Sequence, residues 1–280
     1  MEHVASDVGV DQLFLPTQGL DTQSSLDKIA MWTEDNLMKL KESKTNYLIF
    51  TRSRQNFATR LTVNGKLVER VKHVKLLGLW LQEDGGWGKN TKEVCKKAYI
   101  RMSFLSKLRY AGISKEELVH NYKQFIRTAL EYCSGAFHSS LTEDQSIKLE
   151  HCQAVALRII LQEEYLSYES ALISTGLEKL SLRRQARCLD FSLKCIGHPE
   201  NKRFFPRNPN IGSATEVRER EQFVVNFART RQYKDSAIPF CQRLLNSYYR
   251  ERSAVPGVGR AGAGAETGAR GRSRRAGAGG

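Results

Sequence analysis

The sequence contains no Asp-Asp pair, no Gly-x4-Gly-Lys-Ser/Thr loop, no Gly-x-Ser-x-Gly elbow and no His-Glu-x-x-His run. Metal-dependent phosphoryl transfer needs clustered carboxylates, and the other motifs carry nucleotide, acyl-transfer and zinc chemistry. Residue spacing alone therefore gives the chain no self-contained active site. No window approaches 18 uncharged apolar residues, and Met1 to Asp11 holds three acids and no apolar run. Both features argue against a membrane span and a secretory signal. The six cysteines lie far apart, as reduced and mostly buried thiols of an intracellular protein, cytoplasmic or nuclear, would. Cys188-x6-Cys195-x2-His198 has no second half to complete a zinc set, and its two cysteines fall two turns apart on one helix face, so core packing is the expectation and no metal ligand is assigned.

What is abundant is positive charge, and it is unevenly spread. The net charge is +14. Residues 1–30 carry five acids and one Lys, whereas residues 31–110 carry seventeen Lys and Arg against seven acids. Such a field favours a polyanionic partner, with nucleic acid the commonest. The last thirty residues hold nine Gly, seven Ala and six Arg. They bury too little apolar surface to offset the entropy of ordering, which predicts a disordered tail over 251–280.

Along the chain, residues 1–20 read as a loop. From Asp21 a capping segment opens an amphipathic helix through Leu26, Ile29 and Leu37 that ends near Leu40. The period then changes to two. Thr45–Thr51 reads as a strand, Asn64-Gly65 as a hairpin turn, and His73–Leu81 as a further strand, with Gly78 marking a bulge or a close approach. These pieces predict a short antiparallel sheet.

From Asn90 the pattern is helical. Val94, Ala98, Met102 and Leu105 share one face, while Lys92, Lys96, Tyr99, Ser103, Lys107 and Tyr110 fall in a narrow sector opposite. Ser114–Glu117 and Thr142–Gln145 are capping boxes. The first opens a helix striped by Leu118, Tyr122, Phe125, Ile126, Ala129 and Cys133, the second a helix through Ile147, Ala154, Leu157 and Leu161. A further helix spans about 181–196, and 221–249 has no clear assignment.

Two runs carry more specific information: Trp32-Thr-Glu-Asp-Asn-Leu-Met-Lys-Leu-Lys-Glu-Ser-Lys44-Thr-Asn-Tyr-Leu-Ile-Phe50 and Val74-Lys-Leu-Leu-Gly-Leu-Trp-Leu81. Both resemble the reverse transcriptase of non-LTR retrotransposons, the first its helix–Lys–strand element and the second its primer-grip hairpin. The resemblance continues through Leu130-Glu-Tyr132, Leu149-Glu-His-Cys-Gln153, Tyr165-Leu-Ser-Tyr-Glu169, Leu180-Ser-Leu-Arg-Arg184 and Cys188-Leu-Asp-Phe191. It implies an α+β chain: a partial palm with the hairpin (21–89), a helical thumb (90–200) and a C-terminal extension (201–250), followed by the tail. It further implies that the catalytic Asp pair, and the Mg²⁺ it holds in the intact polymerase, belong upstream of Met1, leaving a fragment that binds but does not catalyse and holds no cofactor.

By the same resemblance Lys44 is an auxiliary group near the triphosphate, Leu77, Gly78 and Leu79 grip the primer terminus, and Lys92, Lys96 and Lys107 track the phosphates of an RNA or RNA–DNA template–primer duplex. Plainer readings stand beside these: a solvated Lys opening a strand, a buried strand with a packing Gly, and a solvated basic face. The alternative function is a retrotransposon-derived structural or protein-interaction remnant with no nucleic-acid role.

Overall fold

The computed structural model describes residues 22–38, 40, 45–50, 60–209 and 222–254. Lys44 lies outside these, as do residues 1–21 and 255–280 and with them the expected loop and nearly all of the expected tail. The described chain is mostly helical with a few short strands, α+β at the coarse level.

The first helix, α1 (Thr22–Asp35), stops earlier than the sequence pattern predicts. Leu37 takes a left-handed φ of 55°, the Leu37 N–H reaches the Glu34 carbonyl at 3.0 Å and the Met38 N–H reaches that of Thr33 at 2.8 Å. This is a Schellman closure made by leucine in the place usually given to glycine.

Among the described residues, three separate two-stranded ladders stand in place of the single antiparallel sheet. Of the expected strand over Thr45–Thr51, residues 45–50 are described, and among these only β1 (Asn46–Tyr47) is strand; it pairs in parallel with β4 (Glu69–Arg70). β2 (Thr62–Val63) and β3 (Lys66–Leu67) form the Asn64-Gly65 hairpin, whose turn residues both have positive φ. Its β2 edge is closed by the Gln23 amide of α1, which accepts from the Thr62 N–H at 3.0 Å and donates to the Thr62 carbonyl at 2.9 Å. Leu61, Val63 and Val68 form a small core here, packed by Leu26, Leu40 and Tyr47. The segment His73–Leu81, one long strand by its period and a hairpin by the resemblance, is a hairpin, β5 (His73–Leu76) and β6 (Leu79–Gln82), with Leu77 and Gly78 as its turn. Both turn residues have positive φ, so the chain reverses at the point where the sequence suggested a bulge.

The main core lies in the helices. α2 (Gly88–Tyr110) packs chiefly on α6 (Glu143–Leu161) through Ala98, Met102 and Leu105 against Cys152, Ala156 and Leu157. Both predicted capping boxes form, Ser114 with Glu117 and Thr142 with Gln145. The helix opened by Ser114 runs as α3 (Lys115–Asn121), a π segment (Tyr122–Arg127) and α4 (Thr128–Glu131). Its buried stripe is Leu118, Tyr122, Ile126 and Leu130, whereas Phe125 and Cys133 are exposed. The π turn admits an extra residue and resets the face that a strict 3.6 period assigns. In α6 the expected stripe member Ile147 also faces solvent.

After α5 (Ser134–Phe137), α7 (Tyr168–Thr175) and α8 (Leu180–Gly197) come α9 (Arg231–Lys234) and α10 (Ala237–Ala254). α10 docks on α8 around Phe205, Phe223, Cys241 and Leu245. It also takes in residues 251–254, which the composition had assigned to the tail.

The runs quoted above from α4, α6, α7 and α8 meet in buried polar contacts. The Glu150 carboxylate accepts from the Leu180 and Ser181 N–H groups at 2.9 and 3.2 Å, capping α8, and also from the Tyr168 hydroxyl. Gln153 accepts from Tyr122 at 2.6 Å and donates to Tyr168 and to the Glu178 carbonyl. Glu131, 1% exposed, is held by Arg183 at 2.7 Å and Arg187 at 3.1 Å.

Candidate nucleic-acid interface

The β5–β6 hairpin is fastened at both ends. At its base, Gln82 of β6 accepts from the Lys89 N–H at 2.6 Å, serving the otherwise uncapped start of α2, and the buried Asn90 side chain accepts from the Trp80 N–H at 3.2 Å. The Lys89 ammonium stands 5.0 Å from the centre of the Trp80 ring and pairs with Glu93 at 3.0 Å. At its tip, the Tyr132 hydroxyl donates to the Leu77 carbonyl at 2.9 Å. Gly78 has φ +90°, and a Cβ there would stand 3.1 Å from the Tyr132 ring. Glycine is thus required twice, by its backbone and by the ring that covers it.

Between hairpin, α2 and α4 lies an open groove of about 500 Å³. Lys75 and Trp80 line it from the hairpin, Lys96, Lys97, Ile100 and Arg101 from α2, and Thr128, Ala129 and Tyr132 from the opposite wall. Among the described residues neither Lys96 nor Lys97 forms an ion pair. Arg101 donates to the Phe125 carbonyl, and Thr128 to that of Gln124 at 2.7 Å, so the π segment is fastened from the groove side. The one carboxylate lining it, Glu93, is held below its usual pKa by the hydrogen bond from Lys89, with the Lys96 and Lys92 charges adding to the effect.

Lys75, Lys96, Lys97 and Arg101 in one groove with Trp80, Ile100 and Tyr132 are the residue types that meet a phosphodiester backbone: ammonium and guanidinium groups bind phosphate oxygens, and apolar and aromatic side chains contact sugars and bases. Among the described residues no group of three His, Cys, Asp or Glu is placed to hold a metal ion. No helix among them is long and apolar enough to cross a membrane.

No protein-family model, curated protein or solved structure matches this chain.

The residues singled out from the sequence separate in space. Gly78 and Lys96 both line the groove. Leu77 is the exposed tip, while Leu79 turns inward and packs on the main core. Lys92 and Lys107 are exposed on α2 outside the groove. Lys75, Lys97, Arg101 and Tyr132 were not assigned from sequence. Lys97 and Arg101 are one turn apart and could have been found as a second basic stripe of α2. Tyr132 gives no such signal, because its partner is more than fifty residues away.

Proposed function

We propose that this chain is the end of the palm, the thumb and the C-terminal extension of a non-LTR retrotransposon RNA-directed DNA polymerase, and that its groove holds the backbone of an RNA or RNA–DNA template–primer duplex. The observation that carries the reading is the hairpin tip fastened by Tyr132 beside a helix face bearing Lys96, Lys97 and Arg101. A primer terminus needs a fixed backbone turn with cations beside it, and the fastened tip next to these cations supports that role. The family assignment rests on the sequence resemblance; the groove supports the binding role.

The test is fluorescence anisotropy with a labelled RNA–DNA hybrid over a salt series. With about three to five phosphates neutralised, log affinity falls against log salt with a slope of roughly −3 to −4. The Lys96→Glu/Lys97→Glu pair should weaken binding and flatten that slope by about two, more than Lys92→Glu/Lys107→Glu does. If both double variants bind as the parent does, the groove has no nucleic-acid role and the protein-interaction reading takes its place.

A further inference from the structure

Two thiols meet at the interface between α2 and α6. Cys95 of α2 directs its sulfur at the Lys148 carbonyl of α6, 3.8 Å away, one turn before Cys152. Cys152 is fully buried in the core between the two helices, and Cys95 is half-buried against the same core. The helices approach closely here because Ala98 and Ala156, both fully buried, lie within four residues of the two cysteines.

We propose that Cys95 and Cys152 form a reversible disulfide that staples α2 to α6 when the protein meets a hydroperoxide. Thiol chemistry distributes the two roles. The Cys152 hydrogen bond holds the Cys95 thiol below its usual pKa, Lys148 adding to the effect, so Cys95 is the richer in thiolate. The Cys152 thiol is held far above its usual range by the hydrogen bond with Cys95 and by burial. The Cys95 thiolate attacks the O–O bond: an S–O bond forms, the O–O bond breaks, and the departing alkoxide or hydroxide takes a proton to leave as alcohol or water. Cys152 then attacks the Cys95 sulfur of the sulfenic acid. The S–S bond forms, the S–O bond breaks, and hydroxide leaves with the Cys152 proton as water. Two thiols lose two electrons and the peroxide gains them. A dithiol reverses the change.

The loop so closed contains α3, the π segment, α4 and α5, and with them the wall of the groove opposite α2. The inference stands on the placement of Cys95 against the α6 turn that leads to Cys152 and does not depend on what the groove binds.

The experiment uses the full chain with Cys133, the exposed thiol, changed to Ser to prevent cross-linking between molecules. After a few equivalents of hydrogen peroxide the chain is alkylated under denaturing conditions, digested and analysed by mass spectrometry. The expected result is two fewer alkylated thiols, one peptide pair joining Cys95 to Cys152, recovery with dithiothreitol, and a higher melting temperature for the oxidised chain. Cys95→Ser should abolish the pair and leave Cys152 alkylated; Cys152→Ala should leave Cys95 as a sulfenic acid that dimedone traps. Full alkylation of both cysteines in the peroxide-treated chain overturns the proposal. A cross-linked chain that melts below the reduced one overturns it also, because the bond would then form only with the helices displaced.

Discussion

Replacing Gly78 with alanine tests the fastening of the hairpin tip through two separable costs. The first is the backbone: φ +90° is a conformation that L-residues adopt at about 1–2 kcal/mol. The second is the 3.1 Å contact of the new methyl with the Tyr132 ring, which has to give way and strain its hydrogen bond to Leu77. Together they come to about 2–3 kcal/mol. Gly65 supplies the control: its φ is +75° and an added Cβ meets nothing within 4 Å, so Gly65→Ala carries the backbone cost alone, about 1–2 kcal/mol. Urea midpoints of the two variants isolate the contact, and a Tyr132→Ala background should reduce the Gly78→Ala cost to that of Gly65→Ala. If Gly78→Ala costs no more than Gly65→Ala in the parent, the tip is not held by Tyr132 and the rigid groove wall described above does not exist.

Glu131→Gln removes the carboxylate that Arg183 and Arg187 share and should cost about 1–3 kcal/mol, the loss moderated by the exposure of Arg187, as read by chemical denaturation. His138 is held neutral, its pKa lowered to about 4 by burial and by the nearby Arg184 charge. The unfolded chain takes up this proton near pH 6.5, so stability is fully present above that pH and is lost as pH falls towards 4, by up to about 3 kcal/mol. His138→Phe, which keeps the ring contact with Phe240, should flatten the pH dependence of the melting temperature across that window; an unchanged profile would assign it to other groups.

The capping boxes at Ser114 and Thr142 were legible because donor, acceptor and backbone partner lie within four residues. The α2 core face was equally legible, since a 23-residue helix repeats its period often enough to fix its phase. The two-residue strands were not: two residues cannot display a period of two, so the parallel pairing of β1 with β4 left no pattern to read. In the candidate site, the helical wheel separated the Lys92, Lys96 and Lys107 sector from the core but carried no information about which neighbour each sector faces. The groove side was therefore displaced by about a third of a turn, from that sector towards Lys97 and Arg101. The Leu77 turn is illegible for a different reason. Its left-handed leucine is fixed by the hydrogen bond from Tyr132, a tertiary constraint that local propensity does not contain.

The π segment acts as a phase shifter. In an uninterrupted α-helix the twelve steps from Leu118 to Leu130 would leave the two leucines about 120° apart around the axis; one inserted residue brings them to within about 20°. Both are fully buried on the same stripe, as the inserted residue requires. The same rotation decides where Glu131 and Tyr132 go: adjacent in sequence, one turns to the arginines of α8 and the other to the hairpin tip. Winding Tyr122–Arg127 as α-helix with no residue removed would rotate everything after it by roughly 100°, whereas removing one residue at the same time would keep the phase. In the first case Glu131 would lose its partners and Tyr132 its hairpin, so a change in winding, with no contact residue altered, would dismantle both ends of the assembly together.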